Sequence, residues 1–223
     1  MNSAINKQFW EEKYLNKNTP WDIGQAAPAF VKYFSRRGLL QKAPTELKKI
    51  AVLGCGRGYD TFYPGEKDHN FQVYGFDFSP SAIVFCKKLK EKKKLKNIHF
   101  KQTDFFKLKS NKKWKGFFDI VLEHTCLAAI DPKKRKDYFQ LVNYLLKPKG
   151  KLIGLFIFRP IKMGGPPFGI TQREIRKLTK NNFVEIEKLH RVKCLHSNNI
   201  KKGDEYLGIF EKRKTKLHRL PAS

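Results

Sequence analysis

An apolar run from Lys49 to Leu53 opens into Gly54-Cys55-Gly56-Arg57-Gly58-Tyr59-Asp60, with glycines at three alternate positions behind a strand-like segment. Glycine allows a sharp turn with positive φ and lets a ligand approach the peptide plane without meeting a Cβ. The chemistry on offer is nucleoside binding at a strand end. The turn alone does not choose the cofactor, because dinucleotide-binding folds use G-x-G-x-x-G and this chain has G-x-G-x-G. Two further strand ends narrow it. Asp77 closes the next apolar run, 23 residues after Gly54, where a carboxylate accepts from both hydroxyls of a ribose or else caps the following helix. Asp104 and Phe105 close the third, an acceptor for an exocyclic amine beside a ring that can lie on a base. Three strand ends thus describe one adenosine. The shorter glycine spacing favours S-adenosylmethionine, which has no pyrophosphate to seat on a helix N-terminus, over a dinucleotide.

Other candidates concern the reacting end. His124 ends the fourth apolar run and is the nearest titratable group there, readable as a general base, a cofactor contact or a structural histidine. Trp10 and Trp21 are suited to a cationic sulfur, since an aromatic face attracts a cation by about 0.5–2 kcal/mol. Trp21 sits in the turn Asn18-Thr19-Pro20-Trp21-Asp22-Ile23-Gly24, where burial in the main core is hard to arrange. Gly164-Gly165-Pro166-Pro167-Phe168 reads as a stiff loop over an acceptor pocket or as an ordinary connection, and Arg135 as a surface or ion-pair residue.

The elements that must position these residues alternate between short apolar runs and lysine-rich amphipathic stretches, the pattern of βα units around a parallel sheet. Strands are expected at 49–54, 72–77, 97–102, 118–123 and 151–158, the last entered through a turn at Lys147-Pro148-Lys149-Gly150. A short helix broken by Pro64 and Gly65 should follow the glycine turn. Another should span 79–95, with Ser79 as N-cap and Pro80 in the first turn. Helices are expected at 132–146 and 171–179, then an antiparallel hairpin from 184–192 and 206–212.

Composition bounds the remaining choices. A chain of 223 residues, 40% hydrophobic, can bury one sizeable core. Its strongest apolar run, Leu152 to Phe158, is far shorter than the roughly 20 residues that span a bilayer. With charges where a signal sequence would be apolar, a cytoplasmic protein without membrane association is expected. Cys55, Cys86, Cys126 and Cys194 lack the close spacing of a zinc or redox motif, so reduced thiols and no metal are expected. The formal charge of +27 invites a nucleic-acid reading, yet the lysines are scattered and no aromatic-interleaved basic stripe stands out. Nucleic acid is therefore not an expected partner, although such a field draws in small anions.

The residues together resemble the thiopurine S-methyltransferases and the related thiol, thiocyanate and halide methyltransferases. The likeness covers Phe9-Trp10, Thr19 to Gly24, Leu53 to Asp60, Gly75 to Ser79, Asp104-Phe105-Phe106, His124 to Pro132, Arg135 and Gly164 to Phe168. It implies that Trp10 and Trp21 enclose S-adenosylmethionine, that Gly54 lies against its methionine part and Asp77 at its ribose, that Asp104 and Phe105 contact adenine, and that Gly56 and Phe78 also belong to the cofactor site. His124 stands where relatives carry Tyr or Arg, and it is taken with Trp21 as a catalytic candidate. Leu127-Ala128-Ala129-Ile130 is similar to the thiopurine branch, whereas Thr19 to Gly24 and Gly54 to Asp60 are similar to the thiol and halide branch.

The implied fold is a single Rossmann-like class I methyltransferase domain of α/β class, mostly parallel and seven-stranded, with an antiparallel C-terminal hairpin. Residues 1–45 would form an N-terminal helical lid, 46–213 the sheet core and 214–223 a basic tail. The implied activity is methyl transfer to a small sulfur nucleophile or halide by a monomer. RNA or protein methylation would exploit the basic surface but needs an open groove, and a non-catalytic binding protein would be expected to lose the glycine turn or Asp77.

Overall fold

The computed structural model describes residues 6–35, 46–160, 164–192 and 205–214. Residues 193–204, which include Cys194 and the polar connection up to Glu205, and all of the basic tail but Lys214 lie outside them. In chain order the elements are α1 (Lys7–Leu15), α2 (Pro28–Ser35), β1 (Lys48–Leu53), α3 (Tyr59–Lys67), β2 (Phe71–Asp77), α4 (Pro80–Lys92), β3 (Ile98–Gln102), β4 (Phe118–His124), α5 (Cys126–Ala129), α6 (Arg135–Leu145), β5 (Leu146–Ile157), α7 (Gln172–Thr179), β6 (Phe183–Arg191) and β7 (Glu205–Lys212).

Alternation along β1 decides how the layers form. Ile50 and Val52 face one side and Ala51 and Leu53 the other, all buried, so the strand needs cover on both faces. Phe30 and Phe34 of α2 close one side, with the Phe34 ring 5.8 Å from that of Phe71. Tyr138, Phe139 and Val142 of α6 and Ile175 of α7 close the other. The sheet has the order β3-β2-β1-β4-β5-β7-β6, with β7 running against both neighbours and the other pairs parallel. Strand order reverses between β1 and β4, and the carboxyl ends flanking such a reversal are where ligands bind in open α/β sheets. No helix among the described residues is long and apolar enough to cross a membrane.

Several expectations are corrected by packing. Helix α3 is not broken at Pro64: Asp68 N–H still donates to the Pro64 carbonyl, so the turn after the proline stays helical. Gly65 is required there, because a Cβ would lie 2.7 Å from Ile98 of β3. Strand β5 begins at Leu146, and the expected turn becomes a bulge within it, between the pairs Phe118 with Leu146 and Ile120 with Lys151. Lys149 takes φ +63 in that bulge, and Lys147 Nζ meets Asp119 Oδ1 at 2.9 Å. A 3₁₀ turn at Pro132–Lys134 precedes α6, which starts three residues later than expected. Within the described part of the N-terminal segment two roles separate: α1 has no buried residue, whereas Phe30 and Phe34 of α2 belong to the core.

Candidate active site

Helix α1 and the turn after it lie across the carboxyl ends of the sheet and enclose a cavity of about 470 Å³, within the usual range for small-molecule sites. The floor is the glycine turn. Gly54 has φ +63 and Gly56 φ +53, both costly for a residue with a Cβ. An added Cβ would lie 2.8 Å from Cys126 Sγ at Gly54 and 2.8 Å from Tyr14 Oη at Gly56. The glycines are thus needed for close approach of the chain's own α5 and α1.

Asp77 holds this turn in shape. Its Oδ2 accepts from Gly56 N–H and its Oδ1 from Ser79 N–H, each at 2.9 Å. Burial raises its pKa, and the N–H donors of Ser79, Gly56 and Phe78 work against that rise. With three N–H donors on its four lone-pair sites, the carboxylate keeps acceptor capacity for a ligand hydroxyl. Phe78 and Phe105 line the cavity with it. Asp104 does not line it: Oδ1 accepts from Phe106 N–H at 3.0 Å, capping the 3₁₀ turn that carries Phe105.

The cover is tied down by polar contacts. Glu11 accepts from Ser79 Oγ at 2.5 Å, from Ser81 N–H at 3.2 Å and from the Ser81 hydroxyl, fixing α1 to the first turn of α4. Burial works to raise the Glu11 pKa, and these donors hold it below its ordinary value. Arg57 in the glycine turn pairs with Asp22 at 2.8 Å, while Asp22 also accepts from Gly24 N–H. The rings of Trp10 and Trp21 meet edge to face at 5.1 Å, and Tyr14 meets Trp21 at 5.9 Å.

His124, at the end of β4, forms part of the wall between two carboxylates. Its Nδ1 lies 2.7 Å from Asp60 Oδ2 and its Nε2 3.6 Å from Glu205 Oε1. Burial lowers the imidazole pKa, but Asp60 and Glu205 more than reverse this and push it up to about 10. At neutral pH it is an imidazolium, already protonated and poorly placed to act as a base. Asp60 Oδ1 also accepts from Ala27 N–H at 2.8 Å, joining this cluster to the entry of α2.

Beyond His124, Thr125 takes φ +62 and leads into α5, whose Leu127 N–H donates to Glu123 Oε1 at 2.7 Å. Burial raises Glu123 to about 7 despite this bond and the Tyr138 hydroxyl donor. Pro166 and Pro167 face the cavity. Their loop is braced by Phe168 N–H donating to Ala128 and by Arg135 donating to the carbonyls of Phe168 and Gly169. Arg135 is buried and pairs with Glu174 at 3.0 Å, so its ion-pair reading fits and its surface reading does not.

Trp10, Trp21, Gly54, Gly56, Asp77, Phe78, Phe105 and His124 are therefore brought to one cavity. Sequence reasoning missed Tyr14, Arg57 with Asp22, Asp60, Glu205 and Arg159. Asp60 and Asp22 sat inside quoted motifs and could have been marked there as carboxylates, whereas Glu205 carried no local signal.

A doubly wound sheet with a roofed, glycine-floored cavity at its switch point defines an S-adenosylmethionine-dependent methyltransferase of class I. The Burkholderia thailandensis 1,6-didemethyltoxoflavin-N1-methyltransferase shares this fold, with a TM-score of 0.67 at 19% identity over 96% of this chain and 89% of that one. Residues 5–218 match the family model for thiopurine S-methyltransferase, and the chain belongs to that family. It is 31% identical over 170 residues to a probable thiol methyltransferase 2 of Arabidopsis thaliana, covering 76% of this chain and 70% of the relative. It is 29% identical over 213 residues to thiocyanate methyltransferase 1 of Brassica oleracea, covering 94% and 87%.

Proposed function

We propose that this cavity binds S-adenosylmethionine and directs its methyl group to a small sulfur nucleophile or a halide. The carrying observation is the roof: a tryptophan pair held over the glycine turn by Glu11 and by the Arg57–Asp22 ion pair. The donor set fits the cofactor, since the Asp77 carboxylate retains acceptor capacity for ribose hydroxyls, and Phe78 and Phe105 supply flat apolar surface for a base. When bound, S-adenosylmethionine supplies a methyl group on a positively charged sulfur, open to in-line displacement.

The chain's own contribution is positional. Asp77 anchors one end and keeps the turn closed, and Asp104 holds Phe105 in place by capping its 3₁₀ turn. Trp10 and Trp21 offer aromatic surface to a cation and keep bulk water out. His124 fixes the wall as a charged bridge and takes no proton at neutral pH. A roofed site of this size supports a small acceptor over a polymer. We extend the reading to one domain acting as a cytoplasmic monomer without a nucleic-acid partner.

Calorimetry with S-adenosylmethionine tests the assignment. The wild type should bind it, and Asp77→Ala should lose roughly 2–4 kcal/mol, as for two hydrogen bonds to a charged acceptor, with its circular dichroism retained. Unchanged affinity in a folded variant would remove the ribose role.

A further inference from the structure

Arg159 follows β5 by two residues, on the same face as Ile157, and both line the cavity. The site's other charges are largely matched: Arg57 pairs with Asp22, and His124 lies between Asp60 and Glu205. Lys13 belongs to the roof, its ammonium 5.3 Å from the Phe9 ring centre. Arg159 differs. It is half-buried, and among the described residues no carboxylate pairs with it and no hydrogen bond engages its guanidinium. Holding an unpaired cation half-buried in a cavity costs solvation free energy that a ligand's counter-charge would offset.

Its position says which ligand. The order β2-β1-β4-β5 separates Arg159 from Asp77 by three strand spacings, roughly 14 Å. Arg159 is therefore at the end away from the adenosine residues, in a cavity whose lining also includes Ile157, Ala129, Ile130, Pro166 and Pro167. Among the described residues, His124 is held protonated between its carboxylates.

We propose that Arg159 is the contact for the acceptor's negative charge, so that this arginine, set among apolar residues at the far end of the cavity, selects acceptors that enter as anions. The inference rests on reading the cavity as a methyl-transfer site. In the transfer, the anion forms a bond to the methyl carbon as the carbon–sulfur bond breaks, and the bonding pair goes to the sulfonium sulfur. No proton needs a destination. Methylation removes one negative charge from the acceptor, leaving a neutral product from a halide, thiocyanate or simple thiolate, so the guanidinium contact is weakened and release is favoured. A planar fork of donors suits thiocyanate or a thiolate bearing a carboxylate, and a monatomic halide uses only the charge.

The test uses the full chain with S-adenosylhomocysteine bound and thiocyanate as the probe, its affinity measured by calorimetry for wild type, Arg159→Met and Arg159→Lys. KM and kcat for thiocyanate are measured in parallel with S-adenosylmethionine. Arg159→Met should weaken thiocyanate binding by tenfold or more, as expected for a lost hydrogen bond between charged groups. It should raise KM with a smaller change in kcat, leaving S-adenosylhomocysteine affinity within about twofold. Arg159→Lys should recover part of the loss. Equal thiocyanate affinity in wild type and Arg159→Met, or no saturable binding to wild type, would overturn the inference. So would an equal loss of S-adenosylhomocysteine binding, since Arg159 would then serve the cofactor. If wild type bound no S-adenosylmethionine at all, the methyltransferase reading itself would fail, a distinct result.

Discussion

Helices α1 and α2 are neighbouring aromatic-rich segments ahead of the sheet, yet they serve opposite ends. Helix α2 buries Phe30 and Phe34 against β1 and β2 and is part of the core. Helix α1 buries none of its residues, and its attachment is the Glu11 contact with Ser79 and Ser81. Burial of large rings holds an element firmly, while a few part-buried polar bonds hold it less tightly and let it open locally. The aromatic rings of α1 are thereby kept available to a ligand, and those of α2 are spent on the fold.

The strongest way to break this contrast is Phe34→Ala, which should destabilise the protein by about 3–5 kcal/mol in urea denaturation. A loss under 1 kcal/mol would mean that α2 is cover and not core. Trp21→Ala should leave the denaturation midpoint almost unchanged while weakening cofactor binding or transition-state stabilisation by about 0.5–2 kcal/mol, read from kcat/KM. An unaltered kcat/KM would take the roof out of the reaction. Glu11→Ala should loosen α1 from α4, costing about 1 kcal/mol in S-adenosylmethionine affinity after allowing for its solvent exposure. Hydrogen exchange should then quicken in α1 and not in α2.

The smallest effect near neutrality should come from the seam between the two regions, where Asp60 joins Ala27 to His124. The folded pKa of His124, about 10, lies above its ordinary 6.5. Its stabilising contribution is therefore complete below about pH 6.5 and is lost progressively as pH rises toward 10. A thermal melting series from pH 6 to 10.5 should show a decline that is shallower in His124→Asn, and parallel curves would contradict the charged bridge.

What could be read in advance follows the range over which each cause acts. The strands other than the start of β5, the glycine turn, the Ser79 cap and the position of Asp77 at the end of β2 are set by neighbours a few residues away, and these stand where the sequence places them. Pro64 was misjudged because local propensity says break, while packing of α3 on β2 and β3 keeps the helix intact. Asp104 caps its own turn through Oδ1, a use the sequence reading did not give it. The charge state of His124 depends first on Asp60 and then on Glu205, the latter far along the chain and brought near by β7 lying beside β5. No spacing rule carries that pair. The split between α1 and α2 was equally hidden, since both are aromatic-rich and only the sheet decides which rings it covers.

An acceptor panel with S-adenosylmethionine, reading S-adenosylhomocysteine release for iodide, bisulfide, thiocyanate, an aliphatic thiol and an aromatic thiol, with RNA and a mixed protein substrate alongside, tests the central claim most directly. Release above the acceptor-free rate with at least one small acceptor, and none with the polymers, is the expected result. Release with RNA or protein and with none of the small acceptors would contradict the account.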